Sequence, residues 1–220
     1  MSTGGVGESM RRPARSKSRP PAKPPGRVRL ANDARRAQLI AVGLEAFSTR
    51  PYDEISIDDL AEVAGISKGL LYHYFPTKRD FYVAAVGEAA AQLVTSTETP
   101  PTMDTMDRLE RGLDAYLAFV SRHASAYVTL MRGGVGADPE VARIIDGTRQ
   151  AFLSRLLEGT GLADPPPALR MMFCGWIGFV EATSLEWATR RDVSASSLKR
   201  IWMAVLSTMS EVGAHPEASD

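Results

Sequence analysis

Residues 56–75 read SIDDLAEVAGISKGLLYHYF, and this stretch decides the fold. It contains two short apolar patterns separated by a Gly-Ile-Ser joint. Ser56 starts a helix with a capping-box-like pattern, in which Asp stands three residues later in place of the usual Glu or Gln. Gly65 can adopt the left-handed backbone conformation that ends this helix, and Ser67 caps the next one. The spacing predicts a helix-turn-helix over residues 56–75.

Helical periodicity continues on both sides of this motif. Apolar residues three and four positions apart predict a first helix that ends at Pro51, and Thr77 caps a fourth helix that runs towards Leu93. After a Thr- and Pro-rich break, apolar stripes predict five more helices, at about residues 107–122, 124–132, 139–157, 168–189 and 196–212. The sequence therefore predicts an all-α protein, with an N-terminal three-helix helix-turn-helix domain and a larger C-terminal helical domain.

The charge of the chain is unevenly distributed. The 220 residues contain 26 Lys and Arg and 26 Asp and Glu, so the formal net charge is zero. Residues 1–30 nevertheless hold eight basic residues and one acid, a net charge of +7, which leaves −7 on the remainder. This segment is rich in proline and has almost nothing to bury, so it is expected to be a disordered basic tail. Such a tail either adds phosphate or minor-groove contacts on DNA or serves as a solubilising leader.

Several classes of protein are excluded by composition and motif content. A single cysteine, Cys174, excludes a disulfide framework and a Cys-based zinc finger. The longest uncharged run of the late apolar region, residues 171–180, is well short of the roughly 20 residues that a membrane span needs. The three histidines, His73, His123 and His215, are isolated, and catalytic, phosphate-loop and metal-ligand spacings are absent from the sequence. We expect a cytoplasmic protein without a membrane partner, a metal, a cofactor or catalytic residues.

A specific set of residues in and around the motif points to a family. The set is Phe47, Ile55, Leu60-Ala61, Ala64-Gly65-Ile66-Ser67, Leu71-Tyr72, Phe75 and Lys78. Together these residues resemble the DNA-binding domain of TetR-family transcriptional regulators, over about Arg35 to Val86. The resemblance implies a homodimeric, sequence-specific DNA-binding regulator, most often a repressor, released from a palindromic operator by a small, largely apolar effector. Two alternatives stay open: an effector-independent DNA-binding accessory protein, and a helical enzyme in which the helix-turn-helix is purely structural.

The same resemblance implies which residues contact DNA. They are Ser56, Ser67, Lys68, Gly69, Leu70, Tyr72, His73, Tyr74 and Lys78. Lys68 and Leu70 are expected to face base edges, because an amine can donate to guanine and an apolar group can contact a thymine methyl. Tyr72, Tyr74 and Lys78 are expected to hold the DNA backbone. The alternatives are a solvated charge for Lys68, a buried phenol for Tyr74 and plain helix caps for the two serines.

One residue departs from the family pattern on this surface. Asp58 stands where many members have Arg or another base-reading residue, so we expect the phosphate contact there to be missing. The predicted DNA-binding domain, residues 31–82, has six basic and eight acidic residues, a net charge of −2. Strong affinity would then depend on the tail, and deleting residues 1–30 should flatten the salt dependence of operator binding.

The remainder, residues 83–220, is expected to bind the effector and to dimerise. The last two predicted helices should form the interface between copies, with Leu198, Ile201, Trp202, Val205, Leu206 and Met209 on it. The other helices should enclose a pocket, with candidate lining residues Tyr116, Phe119, Tyr127, Met131, Phe152, Met172, Phe173, Trp176 and Phe179. Met and aromatic side chains suit an irregular apolar ligand, although they are equally what an ordinary core contains. Arg149, Arg170 and Glu181 could anchor a polar group, and the fourth helix near Phe81–Val86 should couple the two halves.

Overall fold

The structure, a computed structural model, describes Met1, residues 25–132 and residues 138–214. These residues form α-helices and one short 3-10 helix, and no strand occurs among them, as the all-α prediction required. The helices are α1 (Pro25–Thr49), α2 (Ile57–Val63), α3 (Lys68–Tyr74), α4 (Lys78–Ser96), α5 (Thr105–Arg122), α6 (Ala124–Arg132), α7 (Pro139–Gly159), α8 (Pro167–Arg190) and α9 (Ala195–Ala214), with the 3-10 turn at Tyr52–Glu54.

The two predicted domain boundaries, after residue 30 and after residue 82, each lie inside a continuous helix. Helix α1 begins at Pro25, inside the segment predicted to be a tail, and residues 2–24 of that segment lie outside the described residues. Helix α4 runs through the expected boundary at residue 82. The chain divides into two compact units, Met1–Arg35 and Arg36–Asp220, so α2 to α9 all belong to the second unit.

Local capping determines where the central helices begin. Ser56 and Asp59 form a reciprocal capping box: the Ser56 hydroxyl accepts from the Asp59 amide at 3.1 Å, and the Asp59 carboxylate accepts from the Ser56 amide at 2.8 Å. The Ser67 hydroxyl accepts from the amide of Leu70 at 3.2 Å and caps α3. Gly65 has a φ of +63°, the left-handed conformation that its lack of a side chain allows. The predicted helix-turn-helix is present.

An apolar core holds α1 to α4 together. Leu60, Leu71 and Phe75 are at most 1% exposed, and they fix α3 against α2. Gly43 of α1 lies against Phe81 of α4 so closely that a Cβ atom at Gly43 would stand 2.7 Å from the ring. The absence of a side chain at Gly43 is therefore what lets these two helices approach.

A second core joins α5, α7, α8 and α9 to the end of α4. Trp176 and Trp202 are buried at its centre: the Trp176 indole donates to the Trp202 carbonyl at 2.9 Å, and the Trp202 indole donates to the Thr183 hydroxyl at 2.7 Å. Val141, at the start of α7, is buried in the first core instead. Both α4 and α7 therefore contribute to both cores.

Candidate functional site

The exposed side of α3 carries residues predicted to contact DNA, of which Lys68, Gly69 and Leu70 were expected to face base edges. Lys68, Gly69, Leu70, Tyr72 and His73 are exposed, and open space surrounds Gly69. Leu70 is 39% exposed, whereas the neighbouring Leu71 is fully buried, as the apolar pattern predicted. The helix is thus anchored through one side and free on the other, which is the arrangement of a helix that reads the major groove.

An ion pair links α2 to this exposed side of α3. The Lys68 ammonium donates to the Asp58 carboxylate at 2.8 Å, and this hydrogen bond raises the pKa of the Lys68 amine. Both side chains are about half exposed or more. The sequence indicated Asp58 as a departure from the family pattern, but it did not predict the pairing. The pairing arises because the first turns of α2 and α3 lie side by side, which no local pattern of the sequence shows.

The residues expected to hold the DNA backbone are distributed around the end of α3. Tyr72 is 42% exposed, while Tyr74 is half-buried and packs against the first core. The Lys78 ammonium lies 4.0 Å from the centre of the Tyr52 ring, a cation–π contact that orients it. Tyr52 was not among the predicted residues, because nothing in its local pattern shows that the 3-10 turn places it beneath Lys78.

The C-terminal helices enclose a cavity of about 360 Å³ between α4, α5, α6, α7 and α8. Of the nine predicted lining residues, seven line it, namely Tyr116, Phe119, Tyr127, Met131, Phe152, Phe173 and Trp176. Met172 and Phe179 do not line the cavity, and their assignment is corrected. The side of α8 that faces the cavity carries Phe173, Trp176, Ile177, Val180 and Glu181, at spacings of one, three and four residues, and Met172 and Phe179 lie outside this stripe.

Polar side chains of α5, α6, α7 and α8 take part in the lining of this cavity. The Arg149 guanidinium donates to the Glu181 carboxylate at 2.7 Å, and both residues line the cavity. The Tyr116 hydroxyl is hydrogen-bonded to the hydroxyls of Ser184, at 3.0 Å, and of Tyr127, at 3.2 Å. Burial raises the pKa of the Tyr116 phenol well above its ordinary value.

The third predicted polar anchor lies elsewhere. Arg170 is exposed, donates to the side chain of Gln150 at 3.3 Å and is not part of the cavity lining. Of the three predicted anchors, Arg149 and Glu181 line the cavity, and Arg108 and Arg155, which were not predicted, line it as well.

The stripe on α9 that was predicted to meet a second copy is divided between two faces. Leu198, Trp202 and Leu206 are buried within the protomer, because they pack on α5 and α8. Val205 and Met209 are partly buried, and Ile201 is 46% exposed. The width of the apolar stripe on α9 predicted that more than one side of this helix is covered. It did not show which side packs inside the protomer and which is left for a second copy.

The outward face of α8, the other helix predicted to meet a second copy, offers a second surface. Small or apolar residues follow one another along it, namely Met171, Cys174, Gly175, Gly178 and Ala182, and all of them are exposed. Nothing lies within 4 Å of a Cβ atom built on Gly175 or Gly178. With Ile201 and Ala204 of α9, these residues form what we call the α8–α9 face.

Two further observations concern metals and membranes. Within the described ranges, no group of three or more His, Cys, Asp or Glu residues has a geometry that could hold a metal ion. Among the helices of the same ranges, none combines the length and the apolar character needed to cross a bilayer.

An all-α chain with an exposed helix of a helix-turn-helix, followed by a helical domain with an apolar cavity, defines a helix-turn-helix regulatory protein. Residues 39–85 match the family described as bacterial regulatory proteins, tetR family, and residues 105–209 match the tetracyclin repressor-like C-terminal domain. A solved TetR-family transcriptional regulator from Streptomyces coelicolor is 34% identical, with a TM-score of 0.75, over 83% of this chain and 86% of that one. The chain belongs to the TetR family of transcriptional regulators.

Two curated relatives show how far sequence similarity extends. The HTH-type transcriptional activator FasR of Mycolicibacterium smegmatis is 30% identical over 116 residues, 52% of this chain. In that match the chain spans about half the length of the relative, 53%. The HTH-type transcriptional repressor KstR of Rhodococcus jostii is 22% identical over 85% of this chain and 88% of its own.

Proposed function

We propose that this protein is a homodimeric repressor that binds a palindromic operator through α3 and leaves it when a small, largely apolar effector occupies the cavity. The observation that carries the proposal is that α3 has a buried side and an exposed side. Leu71 and Phe75 at its end are buried in the first core. Lys68, Leu70 and Tyr72 are exposed to solvent. A short helix held in this way can present its side chains to base edges without losing its own support.

Selection of bound sequences from random duplexes tests the DNA-binding part of the proposal. We expect a palindrome in which the centres of the two half-sites are about one helical turn, roughly 34 Å, apart or a multiple of this. Failure to enrich any duplex would overturn the proposal. Enrichment of an asymmetric single site would overturn the dimeric part of it alone.

The α8–α9 face is the surface that we propose for dimerisation. Exposed glycines let two helices approach closely, and Ile201 adds apolar area beside them. Gly178→Arg should convert the dimer into a monomer and abolish operator binding, whereas Gly147→Arg should leave both unchanged. The two glycines form a matched pair, because each is exposed within a helix with open space around its Cα. Light scattering gives the mass, and a dimeric Gly178→Arg variant would contradict this assignment.

The cavity supports the effector part of the proposal. Its lining is mainly aromatic and aliphatic, with the Arg149–Glu181 pair on one wall. Saturated fatty acids of increasing length are a suitable probe series, and we expect one of them to raise the melting temperature and to release operator DNA. Ala90→Phe should remove the shift, because Ala90 lines the cavity, whereas Ala91→Phe on the outer side should keep it. Absence of any shift and any release would favour an accessory DNA-binding protein instead.

The sign of regulation follows from a reporter gene placed behind the selected operator. A repressor lowers transcription in the absence of effector, as the name of KstR indicates for that relative. Expression that falls when the gene for this protein is deleted would make it an activator, as the name of FasR indicates for that one.

A further inference from the structure

The ion pair between Asp58 and Lys68 lies on the surface that the proposed function assigns to DNA. An exposed pair of this kind contributes little to folding, because water screens both charges in the free protein. Its place beside Leu70 and Tyr72 suggests a role in binding rather than in stability. An unpaired carboxylate on this surface would be repelled by the phosphates of the duplex. Lys68 compensates the charge of Asp58, and the carboxylate keeps acceptor positions that a hydrogen-bond donor of the DNA can fill.

The major groove offers such a donor beside an acceptor. A G·C base pair presents the N7 and O6 acceptors of guanine next to the N4 amino group of cytosine. O6 and N4 are partners in one Watson–Crick hydrogen bond, so they stand about 2.9 Å apart. The Lys68 ammonium and the Asp58 carboxylate are 2.8 Å apart. The spacing of the ion pair is thus close to the spacing of the two base atoms that it would meet.

We propose, on the basis of the proposed function, that Asp58 and Lys68 act as one unit that reads a single G·C base pair in each half-site. Lys68 donates to O6 and N7 of guanine, and Asp58 accepts the second N4 hydrogen of cytosine, the one that base pairing leaves free. Asp58 is thus a specificity-determining residue, and the acid at this position selects a base instead of avoiding DNA.

The hydrogen-bonding capacity of the two side chains is sufficient for this arrangement. An ammonium has three donors, of which Asp58 takes one, so two remain for guanine. A carboxylate has about four acceptor positions on its two oxygens, of which Lys68 takes one. The ion pair therefore need not break when the base pair is read, and neither partner loses its charge compensation in the groove.

Modified bases test this reading at the level of single atoms. The operator recovered by selection is synthesised with N4-methylcytosine at each G·C position in turn, which replaces the free N4 hydrogen by a methyl group. At one position per half-site, we expect the wild-type protein to lose about tenfold in affinity per protomer, the loss typical of a specific base contact. Asp58→Ala should show no such loss there. 7-Deazaguanine at the same base pair should weaken both proteins, because Lys68 is present in both.

Asp53→Ala provides the matched control, since it removes the same charge from an exposed residue of the 3-10 turn. Both variants should bind random DNA more tightly, but only Asp58→Ala should lose its sensitivity to N4-methylcytosine. Equal sensitivity in the wild type and in Asp58→Ala, or insensitivity of the wild type at every G·C position, would overturn the inference. Either of these results would leave the operator and the proposed function unaffected. Failure to select any operator would instead overturn the proposed function itself.

Discussion

Arg79 and Asp138 form a two-point ion pair that joins the first turn of α4 to the start of α7. The guanidinium donates from Nε to one carboxylate oxygen at 2.5 Å and from Nη2 to the other at 2.7 Å. Asp138 also accepts from the amide of Glu140 at 2.9 Å and so caps α7. Helix α4 directly follows α3, and α7 lines the cavity. The ion pair therefore connects the helix-turn-helix to a helix of the cavity wall.

Acid titration should reveal this pair through the variant Asp138→Asn. Asparagine caps a helix about as well as aspartate does, so the variant removes the ion pair and retains the cap. The guanidinium of Arg79 and the amide of Glu140 lower the pKa of Asp138 to about 2 from its ordinary value near 3.8. The stabilisation is therefore present above that ordinary value and is lost as the pH falls towards 2.

Melting temperatures of both proteins between pH 7 and pH 3 provide the measurement. The wild type should melt higher at neutral pH, and the difference should narrow below about pH 4. A difference that stays constant over this range would mean that the pair contributes nothing to stability. Asp138→Ala should melt lower than Asp138→Asn at every pH, because it loses the cap as well.

Two adjacent leucines of α3 should respond in opposite ways to the same substitution. Leu71→Ala should lower the free energy of unfolding by about 2–5 kcal/mol, because it leaves a cavity in the first core. Leu70→Ala should change it by no more than about 0.5 kcal/mol, yet weaken operator binding. Urea unfolding and a binding titration separate the effects. Unchanged affinity of Leu70→Ala would remove Leu70 from the interface with DNA.

Lys78 should contribute charge to binding but no sequence preference. Replacing it by alanine removes the ammonium that lies over Tyr52, and with it one proposed phosphate contact per protomer. The slope of the logarithm of affinity against the logarithm of salt concentration should then decrease by about 0.9 for each protomer, with the preferred operator unchanged. Lys199→Ala is the control, since Lys199 of α9 is paired with Asp114. An equal change of slope in both variants would contradict a specific contact.

The buried phenol of Tyr116 should make stability depend on alkaline pH. Tyr116→Phe loses the hydrogen bonds to Ser184 and Tyr127, which should cost about 0.5–1.5 kcal/mol at pH 7. Burial raises the pKa of Tyr116 above that of an unfolded tyrosine, so folding favours the neutral phenol. The wild type should therefore lose its advantage as the pH rises above about 10. Urea unfolding at pH 7 and above pH 10 measures the difference, and a constant value would contradict the effect of burial.

The features that could be predicted from the sequence are those that depend on residues close together in the chain. Ser56, Ser67 and Thr77 cap helices through contacts three residues away, so their roles can be inferred from the sequence itself. The stripe of α9 has apolar residues on more than one side, and only its packing on α5 and α8 decides that Trp202 points inwards. The pairing of Lys68 with Asp58 likewise depends on how two helices lie side by side.

The missing side chain at Gly43 has a mechanical consequence. The Phe81 ring lies close against α1 at Gly43, so we expect a rotation of α4 about its own axis at this level to move α1 with it. Helices α2 and α3 share the same core and must travel with them. Helices α1 to α4 therefore pack as one unit at this level, and because α4 also lines the cavity, we expect a displacement of α4 there to change the angle of α3.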